Sequence, residues 1–192
     1  MPQRGAVFAA GEYYHIYNRG AGRNPIFFTP ANYEYCLRLV KRYLTQYAVT
    51  IIVYCLMPNH YHFLLRQDSD LPLSKFIGVL FNAYAQAVNK QQARSGSLFE
   101  GRFRHCWIDR EEYLTHLCRY IHLNPVKAQL VQRPEDWPYS NYQDWLGLRA
   151  GTLMDQVFIQ DHFSTGEAYR QFVSDWRDIE RSQTKLNPYM LD

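Results

Sequence analysis

Two short segments carry side chains whose types and spacing could do chemistry. The first is His60-Tyr61-His62, within Met57-Pro58-Asn59-His60-Tyr61-His62-Phe63-Leu64. On a strand, residues two apart share a face, so both imidazoles could reach one metal ion. Two histidines on the wet face of a strand would equally serve as plain polar surface. The second segment is Arg119-Tyr120-Ile121-His122-Leu123-Asn124-Pro125. On a helix, Tyr120 and Asn124 are neighbours one turn apart, with Tyr113 on the same flank. A phenol and a carboxamide so placed could supply a nucleophile and an oxygen ligand to a single site. The competing reading packs Tyr120 at the core edge and uses Asn124 to cap the helix before Pro125. Spacing alone does not choose between Tyr113 and Tyr120, because seven residues return almost to the same flank.

The elements that would hold these groups follow from periodicity. Tyr13 to Asn18 is rich in β-formers and ends at Arg19-Gly20, which predicts a first strand. Thr29-Pro30 opens a helix carrying Cys36, Leu37, Val40, Tyr43, Leu44 and Tyr47 at helical spacing. Val49 to Met57 and His60 to Arg66 form a hairpin around Pro58-Asn59. Leu73, Phe76, Ile77, Leu80, Phe81, Tyr84 and Val88 predict a second amphipathic helix. A short strand near Phe103 to Ile108 follows, then a third helix over about 109–123 that Asn124-Pro125 stops. This order is that of a ferredoxin-like α+β fold: a split βαβ antiparallel sheet with helices on one face and one added helix. Residues 1–145 are expected to form the main domain. Residues 146–192 read as an appended C-terminal helical region with a helix over about 166–181.

Composition narrows the class. With 192 residues and 47% apolar content, the chain can bury a substantial core. No run of about 18 apolar residues indicates a membrane span and no secretory layout opens the chain, so a cytoplasmic location with no membrane partner is expected. Cys36, Cys55, Cys106 and Cys118 form no C-x2-C pair and fall in apolar stretches, as reduced core residues do. Net charge is +3, with 17 Lys+Arg against 11 Asp+Glu in residues 1–150 and 4 against 7 in residues 151–192. A basic body with an acidic tail suits a polyanion partner, although many unrelated enzymes share such a balance.

Four blocks taken in order carry more than any of them alone: His15-Ile16-Tyr17-Asn18-Arg19-Gly20, Met57-Pro58-Asn59-His60-Tyr61-His62, Gly101-Arg102-Phe103 and Tyr120-Ile121-His122-Leu123-Asn124-Pro125. Over about residues 10–145 the sequence resembles the REP-associated tyrosine transposases, relatives of the single-tyrosine transposases with a His-hydrophobe-His motif. The resemblance implies that His60 and His62 hold a divalent ion, Mn²⁺ or Mg²⁺, and that Tyr120 is the nucleophile. It implies attack on single-stranded or hairpin DNA of the REP palindrome type, giving a 5′-phosphotyrosine and a free 3′-hydroxyl, which a second 3′-hydroxyl can reverse to rejoin strands. The wider group places glutamine four residues after the tyrosine as a further ligand. Here that position is Asn124, one methylene shorter, so its carbonyl would bind the ion directly or through water.

An enzyme of this kind reads single strands by stacking bases on aromatics while cations follow the phosphates. Arg19, Arg23, Arg102, Arg104 and Lys127 are the candidates, Arg102 and Arg104 standing two apart on the predicted strand. A monomer supplying His and Tyr from one chain is expected, rather than a dimer exchanging the tyrosine helix. Two readings compete. A non-catalytic nucleic-acid-binding module, as ferredoxin-like sheets also form, expects stacking aromatics on the sheet strands and leaves His60, His62 and Tyr120 without a role. A zinc hydrolase needs a third firm ligand.

Overall fold

Tyr13–Arg19 forms strand β1, and its alternating pattern decides what lies on each side of the sheet. The computed structural model describes residues 8–175. After β1 come helix α1 (Pro30–Tyr47), strands β2 (Val49–Met57) and β3 (His60–Gln67), helix α2 (Leu73–Gln91), strand β4 (Arg104–Trp107) and helix α3 (Glu111–Lys127). The short helices α4 (Tyr142–Trp145), α5 (Gln156–His162) and α6 (Gly166–Ser174) complete the described chain. The expected helix over about 166–181 is thus seen as α6, and its last predicted residues, from Trp176 on, lie outside the described residues. All strand pairs are antiparallel in the order β2-β3-β1-β4, the split βαβ arrangement expected.

Local chemistry sets the element ends. Pro30 opens α1, and the Asn32 carboxamide accepts from the backbone N–H groups of Phe28 at 3.0 Å and Thr29 at 3.2 Å. The same Asn32 donates to Gln91 Oε1 at 2.6 Å, tying the start of α1 to the end of α2. Between β1 and α1 the chain folds back onto the hairpin turn, with Gly20 N–H bonding Asn59 O at 2.8 Å and Ile26 N–H bonding Pro58 O at 2.8 Å. A Cβ at position 20 would lie 2.0 Å from the Asn24 carbonyl oxygen, so only glycine fits there.

Helices cover both faces of the sheet. Tyr14, Ile16, Tyr61, Phe63, Leu65, Tyr54 and Leu56 bury against α1 and α2, the layer expected. A second layer lies opposite, where Val53, Cys55, Met57 and Leu64 share a core with Leu114, Leu117, Cys118 and Ile121 of α3 and with Tyr142, Trp145, Phe158, Tyr169 and Val173 of the C-terminal helices. The sheet face that a nucleic-acid-binding module would offer to bases is therefore covered by α3. A bulge at Ile51/Val53 leaves the Ile52 carbonyl pointing at this layer, where Asn141 Nδ2 at 2.9 Å and Trp145 Nε1 at 3.3 Å donate to it. His122 is fully buried there, with Nδ1 2.6 Å from the Tyr169 hydroxyl and Nε2 3.0 Å from Asn141 Oδ1. Arg119, also buried, donates to the Phe172 carbonyl at 3.0 Å and lies over the Phe172 ring, so α6 is clamped to the back of α3.

Two boundaries differ from expectation. α3 does not stop at Asn124-Pro125 but runs through the proline to Lys127. Pro125 sits one turn from the end, where its missing N–H forfeits one ladder bond, while the Ala128 N–H still bonds Asn124 O at 2.9 Å and the Leu130 N–H bonds Pro125 O at 2.9 Å. Arg102 is not on a strand with Arg104, because β4 begins at Arg104. The Asn18 side chain takes the Gly101 carbonyl at 3.1 Å and the Glu100 N–H bonds Arg19 O at 3.0 Å, so residues 100–102 turn along the end of β1 before the ladder starts. Cys36, Cys55 and Cys118 are buried and Cys106 half-buried, all as free thiols. No helix among the described residues is long and apolar enough to cross a membrane.

Candidate active site

Alternation along β1 and β3 turns His15, Tyr17, His60 and His62 toward α3, and the antiparallel register sets Tyr17 opposite His62. α3 crosses this face with Tyr120 pointing down at the histidines. The Tyr120 ring stands edge-on to His62, centroids 5.7 Å apart, and edge-on to His15 at 6.5 Å. Arg19, Arg23, Asn59, His60, His62, Tyr120, Asn124 and Ala128 line one open cleft of about 340 Å³.

The imidazoles are set up as neutral groups. Burial lowers the His60 pKa to about 4, a hydrogen bond with Asn124 opposing this and the Arg19 charge adding to it. His62 is fully buried, and burial, with His60 and His15 beside it, pushes its pKa well below the usual histidine range. Neutral rings keep the lone pairs that metal coordination needs. His60 Nδ1 is engaged by Asn59 Oδ1 at 2.7 Å and His62 Nδ1 by His15 Nε2 at 2.9 Å, whereas His62 Nε2 is buried and, among the described residues, has no hydrogen-bond partner. A buried ring nitrogen left without a partner in a cleft with a second neutral imidazole fits a cation ligand. Asn124 donates from Nδ2 to the Tyr120 carbonyl at 2.9 Å, and its side chain hydrogen-bonds His60, so its amide oxygen belongs to the same corner. Among the described residues no cluster of three His, Cys, Asp or Glu side chains surrounds this point, so the available donors are two imidazoles and one amide oxygen.

Cations ring the cleft. Arg19 is held by Glu100 through Nε and, at 3.1 Å, through Nη2, and it also lines an adjoining pocket with Asn18, Gly101, Arg102 and Arg104. Arg23 is exposed, and its left-handed backbone (φ 61°) is pinned by the Asn59 side-chain amide donating to its carbonyl at 3.2 Å. Lys127 places its ammonium 4.9 Å from the Tyr120 ring centroid, a contact made only because α3 continues past Pro125.

The structure thus gathers His60, His62, Tyr120, Asn124, Arg19 and Arg23 in one cleft, with Lys127 against its tyrosine and Arg102 and Arg104 in the pocket alongside. Tyr113 is absent from the lining and lies beneath the Arg110 guanidinium, 5.6 Å from its ring. Sequence reasoning missed His15 as a partner of His62, Asn59 as a partner of His60 and Glu100 as a partner of Arg19. The period-two pair His15-x-Tyr17 was the available signal for the first, but the register that sets it beside His62 is not written in either strand alone.

Comparison with known proteins gives a family and a shared fold. The family model described as "Transposase IS200 like" matches residues 9–124, which contain both histidines, Tyr120 and Asn124. A Haemophilus influenzae protein described as a REP-associated tyrosine transposase is 27% identical over 113 residues, 53% of this chain and 64% of that protein, so the match spans somewhat less than two thirds of the relative. Among solved structures, a REP-associated tyrosine transposase bound to a REP hairpin superimposes with a TM-score of 0.66 at 19% identity, over 81% of this chain and 94% of that one. That likeness establishes a shared fold.

Proposed function

The chain belongs to the IS200-like transposase family, and we propose that it cuts and rejoins single-stranded DNA at hairpins of the REP type, using Tyr120 as nucleophile. The observation that carries this reading is the convergence, in one cleft, of Tyr120 with a pair of neutral imidazoles, one of which presents an unpartnered nitrogen. The sequence relative described as REP-associated and the fold shared with a hairpin-bound structure support the choice of DNA.

In this reading His60, His62 and Asn124 hold a divalent ion. When bound, that ion supplies polarisation of the scissile phosphate and stabilisation of charge on the departing 3′ oxygen. The work of the chain's own groups is positional and nucleophilic. Arg19, Arg23, Arg102 and Arg104 draw the phosphates along the end of β1 and into the cleft. Tyr120 attacks phosphorus through its phenolic oxygen: the new bond is phosphorus to tyrosine oxygen, the bond broken is phosphorus to the 3′ oxygen, and the phenolic proton is released. Lys127, lying over the ring, favours the negative charge that gathers on the phenol as the proton leaves. The phosphotyrosine conserves the ester, so a returning 3′-hydroxyl reverses the step and joins a strand.

In this reading the protein acts as a monomer in which Tyr120, packed against His62 of its own chain, serves the site in cis. Residues 1–145 would form the nuclease domain, and residues 146–192 an appended region whose helices back α3. The test is incubation of the protein with single-stranded hairpin oligonucleotides and a divalent salt. A DNA-linked protein band on a denaturing gel is expected from wild type and none from Tyr120→Phe.

A further inference from the structure

We propose that His15 is a positioning residue, holding the His62 ring by its Nδ1 edge so that Nε2 faces the cleft with an available lone pair. The inference rests on the assignment of His62 as a ligand made above. Both side chains are fully buried, His15 Nε2 lies 2.9 Å from His62 Nδ1, and the rings stack with centroids 5.1 Å apart at 20°.

A neutral imidazole carries one proton, and the hydrogen-bond pattern decides where it sits. Placed on His62 Nε2, the proton would be a buried donor without an acceptor, and the lone pair that a cation needs would be lost. Placed on Nδ1, it donates to His15 Nε2 and leaves His62 Nε2 bare, the form a metal ligand requires. His15 is itself wedged between Tyr17, whose ring centroid is 4.7 Å away, and the edge of Tyr120. Its ring cannot turn away without disturbing both the ligand and the nucleophile. Unlike a carboxylate, a common partner of a metal-bound histidine, a neutral imidazole orients the ligand without adding negative charge to the cleft.

Two measurements decide this. In wild-type protein labelled with ¹⁵N-histidine and free of metal, two-bond ¹H–¹⁵N NMR should show His62 with a protonated Nδ1 and an unprotonated Nε2. A protonated Nε2 overturns the proposal. Calorimetric titration with Mn²⁺ in the absence of DNA should then show about 10–100-fold weaker binding for His15→Phe, which removes the acceptor, while hairpin binding in chelator is unchanged. His15→Gln, whose carbonyl oxygen can accept from Nδ1, should recover most of the affinity. Wild-type affinity in His15→Phe, or equal losses in Phe and Gln variants, would overturn the positioning role. Mn²⁺ binding by wild type that survives loss of both His60 and His62 would instead remove the ligand assignment and this inference with it. Should His15→Phe fail to fold, the NMR result on wild type stands as the test.

Discussion

The Tyr120 ring stands at 81° to that of His62 with centroids 5.7 Å apart, joining a residue of α3 to one of β3 across 57 intervening positions that no local motif spans. This relationship turns two ambiguous segments into one site. A phenol at the core edge and a pair of strand histidines are each unremarkable, but together beside an unpartnered ring nitrogen they form a candidate centre for phosphoryl transfer to tyrosine.

The metal should be borderline in character. Imidazole donors suit Mn²⁺ better than hard Mg²⁺, so hairpin cleavage is expected at a lower concentration of Mn²⁺ than of Mg²⁺ and should stop in excess chelator. The double variant His60→Ala, His62→Ala should lose cleavage by at least about 100-fold while still binding DNA. Full cleavage in chelator would remove any metal role.

Arg102 and Arg104 line a pocket beside the cleft together with Glu100, which Arg19 engages. If they follow phosphates, Arg102→Ala with Arg104→Ala should weaken binding across DNA sequences and flatten log affinity against log salt by about one to two units. An unchanged slope would place them off the DNA path.

Much of the fold was legible in the sequence because periodicity reports which face a residue takes. Tyr14, Ile16, Tyr61 and Phe63 alternate with His15, Tyr17, His60 and His62, and the structure splits them to opposite sides of the sheet. What periodicity omits is which strand position meets which, so the His15–His62 contact became visible only with the register Tyr17↔His62. The second helical layer was hidden for a related reason. Arg119 and His122 are polar residue types, yet both are buried because α6 and Asn141 supply their partners from far along the chain. Asn124-Pro125 predicts a stop, whereas a proline in the last turn forfeits a single ladder bond and α3 continues far enough to set Lys127 over Tyr120.

The His122 network gives a pH signature for stability. Burial lowers its pKa to about 3 in the folded protein, against roughly 6.5 in an unfolded chain. Its contribution is therefore complete above pH about 6.5 and is lost as pH falls toward about 3, because the unfolded chain binds a proton the folded one refuses. His122→Gln should cost about 1–3 kcal/mol at neutral pH through weakened bonds to Tyr169 and Asn141. It should also reduce the acid dependence of urea-unfolding free energy by up to about 1.4 kcal/mol per pH unit in that window. Identical acid slopes in variant and wild type would show that His122 does not carry this linkage.

The central claim, that Tyr120 is the nucleophile, has a rival on the same helix flank. Tyr113 is also a phenol on α3, but it lies under Arg110 away from the cleft, whereas Tyr120 faces the histidines with Lys127 over its ring. Removing one phenolic oxygen from a ring that remains packed should leave folding and DNA binding intact and delete the attacking atom. Tyr120→Phe should accordingly bind hairpin DNA normally and form no adduct, while Tyr113→Phe forms one. The most direct measurement is peptide mapping by mass spectrometry of the covalent protein–DNA species from wild type. The account predicts a nucleotide remnant on the peptide containing Tyr120, at that residue alone; DNA found on Tyr113, or on any other tyrosine, would contradict it.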